Sequence, residues 1–74
     1  MNKIVVYTKD NCKFCTRAKE LLESRGLEYD EISFNDPDVL AEFKEKYPMA
    51  RTAPQILIDG ERIGGHNELV QLLG

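Results

Sequence analysis

Apolar residues change their spacing several times along this chain, and each change marks an element. Lys3-Ile4-Val5-Val6-Tyr7 is β-branched and nearly continuous in apolar character, as a strand buried on both faces would be. From Cys12 to Arg25 the apolar positions Cys15, Ala18, Leu21 and Leu22 recur at helical intervals. Lys13, Arg17, Glu20 and Glu23 cover the rest of that surface, and Gly26 stands as a stop. Leu27 to Phe34 alternates with a slip between Tyr29 and Ile32 and predicts a second strand. Asp36-Pro37 then supplies an N-cap and a first helical residue that loses nothing from its missing N–H. Leu40, Phe43 and Tyr47 give that helix its inner stripe, and Pro48 ends it. Pro54 to Ile58 and Glu61 to Gly64 flank Asp59-Gly60, a pair suited to the positive φ values of a tight turn, and so predict a hairpin of fixed register. After Gly64-Gly65, Asn67 is placed to cap a last short helix with Leu69, Val70, Leu72 and Leu73 packed inward.

The order is β-α-β-α-β-β-α. The first crossover is long enough to make strands one and two parallel, and the hairpin makes the last two antiparallel. A mixed four-stranded sheet flanked by three helices on its two faces gives each amphipathic helix somewhere to bury its stripe, which defines an α/β fold.

At 74 residues the chain allows one domain, expected to span residues 1–74. Its 42% hydrophobic and 31% charged residues suit a folded soluble globule. The longest apolar run, Ile4 to Tyr7, is far below the roughly 20 residues of a bilayer span, so no membrane partner and a cytoplasmic location are expected. A net charge of -3 removes the footprint of a nucleic-acid binder. Charge is nevertheless unevenly spread. Residues 1–27 hold six Lys/Arg against three acids, residues 28–46 hold seven acids against Lys44 and Lys46, and the positive third contains both cysteines.

Those cysteines, Cys12-Lys13-Phe14-Cys15, are the chain's most informative motif. A helix starting near Asn11 or Cys12 puts Cys12 at its N-terminus, where unpaired N–H groups and the positive end of the helix dipole favour a thiolate. Lys9, Lys13 and Arg17 add cationic surroundings. Cys15, one turn in and on the inward stripe, receives less of that field and stays protonated until needed. A thiolate poised beside a second thiol is what disulfide exchange requires. As a staple the pair is poorly placed: a bridge closing four residues removes roughly 2 kcal/mol of unfolded-state entropy, against about 3 for a 15-residue loop. As half of a zinc site it lacks ligands, since His66 is the one other strong candidate, and no metal is expected.

With these motifs the chain resembles the glutaredoxins of the thioredoxin-fold superfamily, in their dithiol form. The resemblance rests on Lys9 three residues before Cys12, on the Cys12/Cys15 pair, on Arg51-Thr52-Ala53-Pro54-Gln55-Ile56 and on Gly64-Gly65. It implies a thioredoxin-like fold, a cis Pro54 facing the cysteines, and a groove for glutathione as reducing co-substrate. In that groove the glutathione cysteinyl main chain would pair with Ala53, beside Thr52, Pro54 and Phe14. The γ-glutamyl carboxylate would meet the helix start at Gly65, His66, Asn67 and Glu68, and the glycyl carboxylate would meet Lys9, with Arg51 or Lys46 as alternatives. Read without the resemblance, His66 is a surface residue in a glycine turn.

The chain departs from the common pattern in three places. Lys13-Phe14 replaces Pro-Tyr, which adds a cation and removes a hydroxyl; Ala53 replaces valine; and Asn67-Glu68 stands where Ser, Thr or Asp followed by Asp is usual. The implied activity is reduction of protein disulfides and glutathionylated proteins by a monomer, with Cys12 attacking and Cys15 resolving. The alternatives are a redoxin reduced by thioredoxin reductase and a [2Fe–2S] carrier in which Cys12 of two subunits and two glutathiones hold the cluster.

Overall fold

The structure is a computed structural model and describes residues 3–74, so the first two residues of the expected domain lie outside it. The elements are β1 (Ile4–Thr8), α1 (Lys13–Ser24), β2 (Asp30–Ser33), α2 (Pro37–Lys46), β3 (Gln55–Ile58), β4 (Glu61–Gly64) and α3 (His66–Leu73). The strands form one mixed sheet in the order β2-β1-β3-β4, with β1 parallel to β2 and antiparallel to β3. This is the expected thioredoxin-like arrangement.

Alternation along β1 explains the layers. Ile4, Val6 and Thr8 are buried on one face, and Val5 and Tyr7 are half-buried on the other. Strand β1 is thus less completely covered than its apolar run suggests. On the first face Ile4 and Val6 pack with Ile56 of β3, Ala18 and Leu22 of α1, and Leu69 of α3 to form the core. On the second face Tyr7 meets Phe34 and Phe43 at ring-centroid distances of 5.3 and 4.7 Å, and Phe43 continues to Tyr47 at 4.9 Å. An aromatic cluster therefore holds α2 against the sheet.

Strand β2 is shorter than the Leu27–Phe34 expectation because Leu27 serves α1 instead. The Leu27 N–H donates to Leu22 O and the Gly26 N–H to Glu23 O, each at 3.0 Å, a paired bonding that closes the helix C-terminus and turns Leu27 onto the core. Helix α2 begins as expected, with the Asp36 side chain accepting the Asp38 N–H at 2.9 Å and Pro37 in the first turn. The hairpin turns through Asp59 (φ 52°) and Gly60 (φ 83°), which pairs Ile58 with Glu61 and Leu57 with Arg62. The register then shifts so that Ile56 faces Gly64, a bulge that qualifies the expectation of a uniform register.

Helix α3 also differs from expectation. It starts one residue before Asn67, with Gly65 as N-cap, and the Glu68 carboxylate accepts the Gly65 N–H at 2.7 Å in place of an Asn67 cap. Leu69 is buried and Leu73 packs beside the core, whereas Val70 and Leu72 remain 42% and 53% exposed. One helix face can bury an i, i+4 pair but not all four of these positions.

Candidate active site

A turn after β1, with Asn11 in the left-handed region (φ 55°), delivers Cys12 to the N-cap of α1. The Cys12 backbone is extended, and its Sγ accepts the Cys15 N–H at 3.1 Å. Cys12 and Cys15 are joined as a disulfide, with their Cα atoms 5.2 Å apart. Cys12 is half-buried and Cys15 only 2% exposed, so one sulfur faces outward and the other lies within the first turn. On reduction, the main-chain N–H that reaches Cys12 and the helix dipole behind it favour the thiolate there.

Across from the cysteines, the Ala53–Pro54 peptide bond is cis, and Ala53 O lies 3.5 Å from Cys12 Sγ. Pro54 is buried ahead of β3. A small cleft of about 200 Å³ runs from this wall to the start of α3. Phe14, Thr52, Ala53 and Pro54 line one side of it, and Gly65, His66, Asn67 and Glu68 line the other. Eight of the nine residues expected to hold glutathione therefore meet in one place. The ninth, Lys9, lies beyond Thr52 and Ala53 in an adjoining cleft, and it also lines a third cleft with both cysteines and Lys13.

Three features refine the expected groove. Glu68 takes the Gly65 N–H, which leaves the N–H groups of His66, Asn67 and Glu68 as the helix-start donors for an incoming anion. A side chain at Gly64 (φ 124°) would place its Cβ 2.7 Å from Glu68 Cγ, so glycine there lets the Glu68 side chain fold back over the helix start. Phe14 is 48% exposed, with the Arg17 guanidinium 5.4 Å from its ring centroid and the His66 ring at the same distance, so it links α1 to α3. His66 Nδ1 is buried without a hydrogen-bond partner.

Sequence reasoning missed a polar cluster in the cleft behind Cys15. Thr8 donates its hydroxyl to Glu31 Oε2 at 2.7 Å, and Lys19 Nζ lies 3.1 Å from the same oxygen. The Thr8 hydroxyl, aided by Lys19 and opposed by partial burial, holds the Glu31 carboxyl below the usual carboxylate range. The parallel register pairs Val6 with Glu31 and so puts Glu31 on the same face as Thr8, but that register is not readable before the sheet is assembled. Lys19 is consequently committed to Glu31, whereas among the described residues Lys9, Lys13 and Arg17 pair with no carboxylate.

Comparison with known proteins supplies the remaining observation: residues 4–63 match the glutaredoxin family model. The chain belongs to the glutaredoxin family. Glutaredoxin 3 of Escherichia coli strain K12 is 38% identical over 72 residues, covering 97% of this chain and 87% of that protein. The solution structure of glutaredoxin from Brucella melitensis superimposes with a TM-score of 0.80 at 36% identity, over 99% of this chain and 79% of the other. A buckwheat glutaredoxin–glutathione complex gives a TM-score of 0.80 at 28% identity, over 92% and 64% of the two chains. As a glutaredoxin with both cysteines, the chain is a thiol-disulfide oxidoreductase whose dithiol is Cys12/Cys15.

Proposed function

We propose that this glutaredoxin draws its electrons from glutathione and reduces protein disulfides and glutathione mixed disulfides as one domain over residues 1–74. The observation that carries the reading is the environment of Cys12 Sγ, which takes a main-chain N–H at a helix N-terminus and faces Ala53 beside a cis proline. The Cys12 thiolate attacks one sulfur of the substrate disulfide; the substrate S–S bond breaks, and the departing thiolate takes a proton from water. Cys15 then loses its proton and attacks the Cys12 sulfur of the mixed disulfide. This releases the second substrate thiol and leaves the Cys12–Cys15 bond, so that two electrons have passed to the substrate. Two molecules of glutathione return the pair to dithiol and leave as glutathione disulfide.

In this reading the cysteinyl main chain of glutathione pairs with Ala53, flanked by Thr52, Pro54 and Phe14. Its γ-glutamyl carboxylate faces the first turn of α3 at Gly65, His66, Asn67 and Glu68, and its glycyl carboxylate faces Lys9. That a similar structure is a glutaredoxin–glutathione complex supports glutathione as the ligand. Cys12→Ser and Cys15→Ser separate the roles in an assay coupled to glutathione and glutathione reductase. Loss of Cys12 abolishes turnover of every substrate, whereas loss of Cys15 removes protein-disulfide reduction and spares deglutathionylation. Equal loss from both substitutions contradicts the assignment.

A further inference from the structure

On the side of Ala53 away from α3, a cleft of about 690 Å³ reaches from Lys9 to α2. It shares Thr52 and Ala53 with the smaller cleft, so a chain docked on Ala53 passes from one into the other. Phe43 is buried in its lining, Phe34 and Leu40 are half-buried, and Lys9, Lys44 and Arg51 are exposed around it. No acidic residue lines the cleft, and among the described residues none of those three cations pairs with a carboxylate.

Glutathione offers this cleft one glycyl carboxylate and no side chain. The cleft offers a ligand more: an apolar surface and three positive charges, at a size that fits drug-sized groups, about 300 to 1,000 Å³. We infer that it is a specificity subsite for protein substrates, taking an apolar and an acidic side chain from the two positions that follow the substrate's cysteine. An extended chain advances about 3.3 Å per residue, so both positions stay close to Ala53. The inference rests on the proposed docking of substrate main chain at Ala53 and on attack by Cys12, and is independent of which reductant restores the dithiol. The covalent step is unchanged: Cys12 displaces a thiolate from the peptide disulfide.

The test uses the full chain, reduced with dithiothreitol and freed of it, in single turnovers with acetyl-Cys-X-Y-amide peptides carried as mixed disulfides with thionitrobenzoate. Release of thionitrobenzoate reports attack by Cys12. Leu-Glu and Glu-Leu peptides are expected to react about tenfold faster than Gly-Gly, and Leu-Glu about fivefold faster than Leu-Lys at low salt. The double substitution Lys44→Gln/Arg51→Gln, at two exposed positions, removes the preference for Glu over Lys and keeps that for Leu over Gly. Leu40→Ser does the reverse. Rates agreeing within about twofold across the peptides, or a charge preference unaltered by the double substitution, overturn the inference. Because no glutathione is present, these rates stand whether or not glutathione turns the protein over, so the two readings fail separately.

Discussion

At the scale of single residues, two side-chain pairs outside the dithiol have pH signatures. Glu31, held below its ordinary value of 4.5 chiefly by the Thr8 hydroxyl, binds its proton less readily in the folded protein than in the unfolded chain. Its contribution to stability is therefore complete above about pH 4.5 and is lost as pH falls through the lower folded value. Urea midpoints for the wild type and Glu31→Gln should differ near neutral pH and converge in acid. Tyr29 behaves in the opposite sense. Its hydroxyl donates to the Glu23 carboxylate, which pushes its pKa up to about 12, so that bond stabilises the fold below the ordinary value of 10.0 and is lost as pH rises through the higher one. An ultraviolet titration should show one late phenolate phase, absent in Tyr29→Phe.

At the scale of elements, the helix ends decide where the site sits. Asn67 lies in the right turn to begin α3, yet Glu68 does the capping, and Glu68→Ala should cost about 1 kcal/mol in thermal unfolding while opening the Gly65 N–H to solvent. The starts of α1 and α2 were legible in the sequence because caps are local chemistry: Cys12 precedes an amphipathic run, and Asp36 precedes Pro37. The dithiol site was legible for the same reason, since Cys12, Cys15 and the start of α1 lie within one turn. What escaped depends on partners distant in the chain. Leu27 carries a strand pattern in the sequence because its second use, closing α1, depends on a main-chain bond to Leu22 rather than on residue type. Val70 and Leu72 match a core pattern in the sequence, yet they stay exposed because the face of α3 that meets the sheet is set by the sheet. The Thr8–Glu31–Lys19 cluster joins three elements, and no single stretch of sequence contains it.

At the scale of the whole molecule, two layers of different character lie on one sheet. The aliphatic layer depends on a few fully buried side chains, so Leu22→Ala, which empties a site of 0% exposure, should cost about 2–5 kcal/mol by denaturant titration. Charge is divided as well: a chain of net charge -3 presents Lys9 and Lys13 in the cleft of its dithiol, with Arg17 over the neighbouring Phe14 ring. Since exposed charges act over a Debye length of about 8 Å at physiological ionic strength, kcat/KM for an anionic mixed disulfide should fall as salt is added. Lys13→Glu should lower it several-fold at low salt and have much less effect at high salt.

The contact between Cys12 Sγ and Ala53 O joins positions 41 residues apart, while the N–H that steadies the sulfur comes from only three residues away. In the proposed mechanism, nucleophilicity is thus a short-range trait of this polypeptide and discrimination a long-range one. If the larger cleft selects clients as inferred, drift in the stretch from Pro48 to Arg51, which stops short of the Ala53 carbonyl facing Cys12, is free to retarget the molecule without retuning its warhead.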